Sequence, residues 1–322
     1  MIYIKQKPDR ILQIAEEWHS TIFNFLNTQG IYYVSYTERS TGAKRKEMCK
    51  TYKAKMKTKV KRSKLNKEEK KICIRYINTF CDALRDYVMA DEGQLIALHD
   101  DYKSAILSPH TEQKINIHNK LSEIFIDLYA EFTTEYAYHF FQLLNIRTCP
   151  YCNRNYTFTI QEDKKKTRPE FDHFYDKASY PLLAVSFYNL VPSCHTCNHI
   201  KGNDSLLINP YFHGFEGRFK ITKEGTFLGY ESASKEEKED MHTLGLNELY
   251  REHNDYVQEL FLKAQAYSKH AREALVTSFQ GAGDSPDKVY DFVWGKNLED
   301  ANHINRPLSK LTKDILDQLD IH

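Results

Sequence analysis

The stretch PSCHTCNHIKGND, residues 192–204, sets Cys194 and Cys197 three positions apart among two histidines and two asparagines. Its reading depends on a second pair upstream, Cys149-Pro150-Tyr151-Cys152. A C-x-x-C element makes a tight turn whose two thiolates converge on one cation, and two such turns complete a tetrahedral zinc site. Cys149, Cys152, Cys194 and Cys197 are therefore read as one zinc site that closes the loop between them. Four thiolates leave no open coordination position, so this zinc is structural and any catalysis lies elsewhere. Zinc affinities of about 10–16 kcal/mol can stabilise a loop with too little apolar content to fold alone. His195 and His199 stand close enough to compete as ligands, but four cysteines already fill the site. A redox C-x-x-C would need a βαβ setting that the sequence does not present.

Composition agrees with this reading. The chain has 322 residues, 41% hydrophobic and 28% charged, enough for one large core or two modest ones. The 22 tyrosines and 18 phenylalanines are read as core. No run of about 18 apolar residues occurs, and the start MIYIKQKPDRILQ lacks the apolar centre of a secretion signal. A cytoplasmic protein with no membrane association is expected. Seven cysteines, with Cys49, Cys73 and Cys81 scattered, suggest a metal in a reducing compartment rather than disulfides.

The net charge of +1 conceals an asymmetry, because residues 44–71 hold fourteen Lys/Arg against three Glu. Within them Lys53, Lys55, Lys57, Lys59 and Lys61 alternate with Ala54, Met56, Thr58 and Val60. As a strand, this segment would present ammonium groups about 7 Å apart on one face, which suits a phosphate backbone. Lys55, Lys57 and Lys59 are thus candidate nucleic-acid contacts; a solvated edge is the plainer alternative.

Helical periodicity marks 9–27, 66–90, 112–145 and 246–279, with a last short helix over LSKLTKDILDQL. GRFKITKEGTFLGY, 217–230, reads as a hairpin, NYTFTI and EFDHF as short strands, and GAGDSPD, 281–287, as a loop. The expected fold class is α+β, mostly helical around a central zinc-braced core. Three regions are expected: a helical 1–145 containing the lysine-rich segment, a core over 146–215, and a hairpin with helices over 216–322.

Inside the zinc loop lie Asp172-His173, then Asn189, with Asn198 directly after the last cysteine, where a helix could begin. An Asp carboxylate and an Asn carbonyl suit a hard cation such as Mg²⁺, and a neutral histidine beside them can take a proton from water. The order C-x2-C, D-H, N, C-x2-C-N-x2-K resembles the HNH endonucleases, whose ββα-metal core is a hairpin crossed by a helix. The resemblance implies Asp172 and Asn198 as ligands of catalytic Mg²⁺ or Mn²⁺, and His173 as general base. It gives Asn189 a role in fixing the hairpin loop and orienting the histidine, and makes Lys201 a phosphate contact. Arg154 and Lys177 are further candidate phosphate clamps. Many family members carry a metal-binding histidine where this chain has Gly202, so the Asp/Asn form of the site is implied. Adjacent strand residues face opposite sides, so Asp172 and His173 can meet one phosphate only if the strand distorts or ends between them.

Downstream, the NPY turn, the hairpin, LGLNELYREH and RPLSKLTKDIL look like the HNH effectors of bacterial antiphage systems. The nearest group is the nuclease of Septu-type and retron-linked systems, which works with an ABC-class ATPase partner. The implied substrate is nucleic acid, DNA ahead of RNA. The rival readings are a zinc-stabilised nucleic-acid-binding module without turnover and a partner-docking subunit.

Overall fold

The computed structural model describes residues 2–4, 8–38, 40–281, 286–295 and 298–321. Two compact units interleave along the chain: one comprises 7–144 and 171–191, the other 1–6, 145–170 and 192–322. The division therefore falls differently from the three consecutive regions of the sequence reading. It passes through the middle of the zinc loop.

The first unit is built on two long helices. Helix α1 (Pro8–Asn27) opens on proline, whose fixed φ and missing N–H suit a first turn. It buries Ile11, Ile14, Ala15, Trp18, Ile22 and Leu26. Trp18 is the centre of this core: its indole nitrogen donates to the Val185 carbonyl at 2.9 Å. Phe132, Phe140 and Phe171 meet its ring edge-on, with centroids at 4.9, 4.6 and 5.5 Å. A hairpin follows, with β1 (Tyr32–Thr37) antiparallel to β2 (Lys44–Cys49), Tyr32 opposite Cys49 and Thr37 opposite Lys44.

The lysine-rich run is a helix, α2 (Tyr52–Arg62), which corrects the strand reading. The period-two lysines overlie a stronger i, i+4 row of Tyr52, Met56 and Val60, all buried. Thr51 caps the helix by accepting the Ala54 N–H, and lysine forms helix readily. Steps of two residues turn by about 200° on a helix, so the five lysines divide between two faces, Lys53, Lys57 and Lys61 on one and Lys55 and Lys59 on the other. Lys55 reaches Glu131 at 2.6 Å, Lys59 pairs with Asp127, and Lys53 meets Asp82 at 3.2 Å.

Helix α3 (Lys67–Asp82) starts on a capping box of Asn66 and Glu69. It stops one residue before α4 (Leu84–Val88), dividing the expected 66–90 helix. Helix α5 (Glu92–Tyr102) has a second capping box, Asp91 with Gln94. Helix α6 (Glu112–Leu144) has 33 residues and buries Leu121, Phe125, Leu128, Phe132 and Phe140. No helix of the described residues is long and apolar enough to cross a membrane.

Beyond Leu144, β3 (Ile160–Glu162) and β4 (Lys165–Thr167) form a small antiparallel ribbon. Of the NYTFTI run only Ile160 joins it, and Tyr156 makes an isolated bridge with Thr148. Strand β5 (Glu170–His173) pairs with β6 (Leu190–Ser193), followed directly by α7 (His195–Lys201). The chain order strand, strand, helix is therefore present. The expected hairpin forms as β7 (Arg218–Ile221) and β8 (Phe227–Glu231), with a register shift at Lys220/Ile221. Then come α8 (Lys235–Thr243), α9 (Leu246–Arg251), α10 (Asn254–Ala266), α11 (Lys269–Gly281), α12 (Pro286–Trp294) and α13 (Ser309–Gln318). The helical stretch expected over 246–279 is three helices, and most of the expected 281–287 loop, residues 282–285, lies outside the described residues.

The second unit is tied together at Asn153, which occupies the left-handed region at φ 47°. Its side-chain nitrogen donates to the carbonyls of His303 (2.8 Å) and Arg306 (3.0 Å), and its Oδ1 accepts the Lys310 N–H at 3.0 Å. One side chain thus fastens the first C-x-x-C turn to the start of α13. Asn153→Ala takes a donor from the His303 and Arg306 carbonyls, which keep the Ser309 hydroxyl, removes the acceptor of the Lys310 N–H, and puts alanine in a left-handed conformation that asparagine tolerates better. A loss of about 2–4 kcal/mol is expected, read as a lower denaturation midpoint. An unchanged midpoint would show that the turn is held by other contacts.

Candidate metal centre and the Asp-His strand

The four predicted cysteines converge. Their sulfurs lie within 4.8 Å of one another and all four side chains are buried. Tetrahedral zinc with bonds of about 2.3 Å sets its sulfurs about 3.8 Å apart, so the donor set fits Zn²⁺. The Cys152 and Cys194 sulfurs are 4.0 Å apart, about twice a disulfide bond. Among the described residues the cluster contains cysteines only, so neither His195 nor His199 belongs to it.

Each turn shapes its sulfurs through the backbone. Asn153 donates its N–H to the Cys149 carbonyl at 2.8 Å, which closes the first turn. The Arg154 N–H meets the Cys152 sulfur at 3.3 Å, and the Asn155 amide meets Cys194 at 3.3 Å. Such N–H···S contacts offset thiolate charge. Burial pushes the Cys149 thiol well up, whereas hydrogen bonds from Cys149 and Cys152 pull Cys194 well down. Four thiolates this close repel one another, and a Zn²⁺ held among them would supply the compensating charge.

Helix α7 begins at His195 with Cys194 as its N-cap, three residues earlier than expected. Asn198 is consequently one turn inside the helix. His195 and Asn198, at i and i+3, share a face, and both reach Glu170. The Asn198 amide nitrogen donates to Glu170 Oε2 at 2.6 Å, and His195 Nδ1 lies 3.0 Å from Oε1. The bond uses the amide nitrogen of Asn198, and Oδ1 is the acceptor atom of the same side chain. Burial works against the Glu170 charge, but the bonds from Asn198 and His195 prevail and hold its carboxyl below the usual range. His199 stacks beside His195 with ring centroids 5.9 Å apart. Gly202 ends the helix at φ 54°, a left-handed position where a β-carbon is strained, so a histidine would fit poorly there.

In the other unit, β5 carries both Asp172 and His173, which are 2% and 5% exposed. The strand runs unbroken through both and ends after His173, so the break expected between them is not there. His173 Nε2 is 3.0 Å from the Ala184 carbonyl oxygen. A carbonyl only accepts, so Nε2 carries the proton and Nδ1 is the basic nitrogen. The Tyr129 ring stands edge-on to the imidazole at 4.5 Å, and the Lys177 ammonium lies over the same ring at 5.4 Å.

Asn189 is fully buried and braces the loop after β5. Its Oδ1 accepts the Tyr175 N–H at 2.7 Å, and its nitrogen donates to Tyr175 (3.1 Å) and Leu183 (3.0 Å). The Asn189 carbonyl accepts the Phe174 N–H at 2.9 Å.

The predicted basic contacts are placed unevenly. Arg154 Nε donates to His253 Nε2 at 2.9 Å, and Lys201 is 1% exposed. Lys55 and Lys59 hold carboxylates, as described above, while Lys57 is half-buried. Glu170, Tyr129 and Ala184 were not singled out in the sequence. Only Glu170, two positions before Asp172, carried a signal that could have found it.

No family model matches the chain, and no solved structure does. One stretch is similar to a curated protein. Over 66 residues the chain is 39% identical to Septu protein PtuB of Bacillus thuringiensis, covering 19% of this chain and 23% of that protein. The matched stretch thus spans less than a quarter of that relative's length.

Proposed function

We propose that the chain is a metal-dependent HNH-type endonuclease that hydrolyses phosphodiester bonds of DNA. The observation that carries this reading is the locked imidazole of His173, at the end of a strand that also presents Asp172. Nδ1 of His173 takes a proton from the attacking water, and the Ala184 carbonyl keeps the ring in the required tautomer. Water adds to phosphorus, the bond to the leaving 3′ oxygen breaks, and that oxygen takes a proton from solvent. Asp172 and Oδ1 of Asn198 are the hard oxygen donors that suit Mg²⁺ or Mn²⁺. When bound, the cation stabilises charge on the scissile phosphate and the leaving oxygen. Glu170 orients the Asn198 amide, and Asn189 fixes the loop that follows His173.

The similarity to Septu protein PtuB supports a role as an effector of bacterial antiphage defence, acting with an ABC-class ATPase. Such a partner gives a cytoplasmic nuclease the restraint that it needs. The rival, a zinc-braced binding module, predicts no divalent site apart from zinc. Titrating the zinc-loaded protein with Mn²⁺ and following bound ion by electron paramagnetic resonance separates the two. One site is expected, lost in Asp172→Ala and weakened in Glu170→Ala. Equal Mn²⁺ binding by wild type and Asp172→Ala would overturn the ligand assignment.

A further inference from the structure

The fourteen basic residues of 44–71 are not equivalent once folded. Lys53, Lys55 and Lys59 are held by Asp82, Glu131 and Asp127, and Arg62 reaches Glu47 at 2.6 Å while covering the Tyr36 ring at 4.4 Å. These contacts fasten α2 to its neighbours and to the inner side of the β1–β2 ribbon, where Tyr32 also packs edge-on to Tyr52 at 5.5 Å. The other side of the ribbon faces solvent. Its register places Tyr33 opposite Met48, Ser35 opposite Lys46 and Thr37 opposite Lys44, with all six side chains exposed. That face has no carboxylate.

The sorting along this face is informative. One end is apolar, with Ile31 71%, Tyr33 55% and Met48 58% exposed, and the other carries lysines and hydroxyls. Lysines alone would be explained by protection of the ribbon's open edges. Exposed tyrosine, isoleucine and methionine beside them work against that purpose, and together they make a surface that both attracts phosphates and contacts bases. Along β1 runs a cleft of about 700 Å³ lined by Lys59, Arg62, Lys64 and Lys120 against Glu38 and Glu123. Lys59, Arg62 and Lys120 are already paired there with Asp127, Glu47 and Glu123, so the positive field rests on the ribbon's own Lys44 and Lys46.

We infer that the outward face of the β1–β2 ribbon is a docking surface for double-helical DNA. A two-stranded ribbon enters the major groove of B-form DNA, about 12 Å wide, with basic side chains reaching the flanking phosphates. The deep, narrow major groove of A-form RNA does not admit it. Tyr33, Ile31 and Met48 meet base edges and thymine methyl groups, and Lys44 and Lys46 take phosphates. The inference rests on the nuclease reading for its substrate class, but it concerns binding and requires no turnover.

The test is fluorescence anisotropy in EDTA with labelled duplex DNA, single-stranded DNA and duplex RNA of equal length. Without divalent metal no cleavage occurs, so binding is read even if the nuclease reading fails. Duplex DNA is expected to bind most tightly. Lys44→Ala/Lys46→Ala/Tyr33→Ala should weaken it about tenfold or more and lower the salt slope by about 2. The charge reversal Lys44→Glu/Lys46→Glu should weaken it further, with circular dichroism unchanged for both variants. Wild-type affinity in both variants, or tighter binding of single strands or RNA, would overturn the inference. The first result would leave the face to a protein partner.

Discussion

Replacing Cys149 or Cys197 with serine is expected to release the zinc and unfold the unit formed by residues 1–6, 145–170 and 192–322. Structural zinc contributes about 10–16 kcal/mol, as large as the whole 5–15 kcal/mol that typically separates folded from unfolded domains. Neither thiol is exposed. The first turn also anchors Asn153, and the Tyr250 hydroxyl donates to the Cys152 carbonyl, so losing the metal frees contacts well beyond the cysteines. Zinc content by atomic emission should fall from one per chain, and the far-ultraviolet melt should broaden or vanish. Chelation of the wild type should do the same, and added zinc should reverse it. A serine variant that keeps its melt without zinc would show that the four sulfurs are ordinary buried thiols.

The second large effect concerns His173. His173→Ala removes the nitrogen assigned to proton abstraction, and general-base catalysis contributes about 10²–10⁴-fold. The substitution also leaves the Ala184 carbonyl without its donor, at about 1–3 kcal/mol, so stability must be measured beside activity. His173→Gln restores a side-chain donor of similar reach without a base of comparable strength. Both variants should lose cleavage, with the glutamine protein melting closer to wild type. Cleavage retained in the glutamine variant would mean that the imidazole orients the loop rather than moving a proton.

What the sequence revealed depended on the range of the interaction. The C-x-x-C turns are local, so their spacing was enough to predict that the four sulfurs meet. Helices α1 and α6 and the β7–β8 hairpin were also legible, because their apolar periods are long and clear. Helix α2 was not: its lysines alternate at period two while Tyr52, Met56 and Val60 follow period four, and the partners that decide between them lie 68 to 76 residues away. Glu170 went unnoticed for the same reason, since Asn198 and His195 are 28 and 25 positions downstream. The interleaving of the two units follows from tertiary contacts alone, and no composition shift near residues 170 or 191 announces it.

The most direct measurement is the rate at which zinc-loaded protein cleaves duplex DNA with Mg²⁺ and with EDTA, wild type beside His173→Ala. Wild type should cleave with Mg²⁺ only, and the variant should be slower by at least about 10²-fold. Equal rates in the two proteins, or cleavage indifferent to the chelator, would contradict the proposed mechanism.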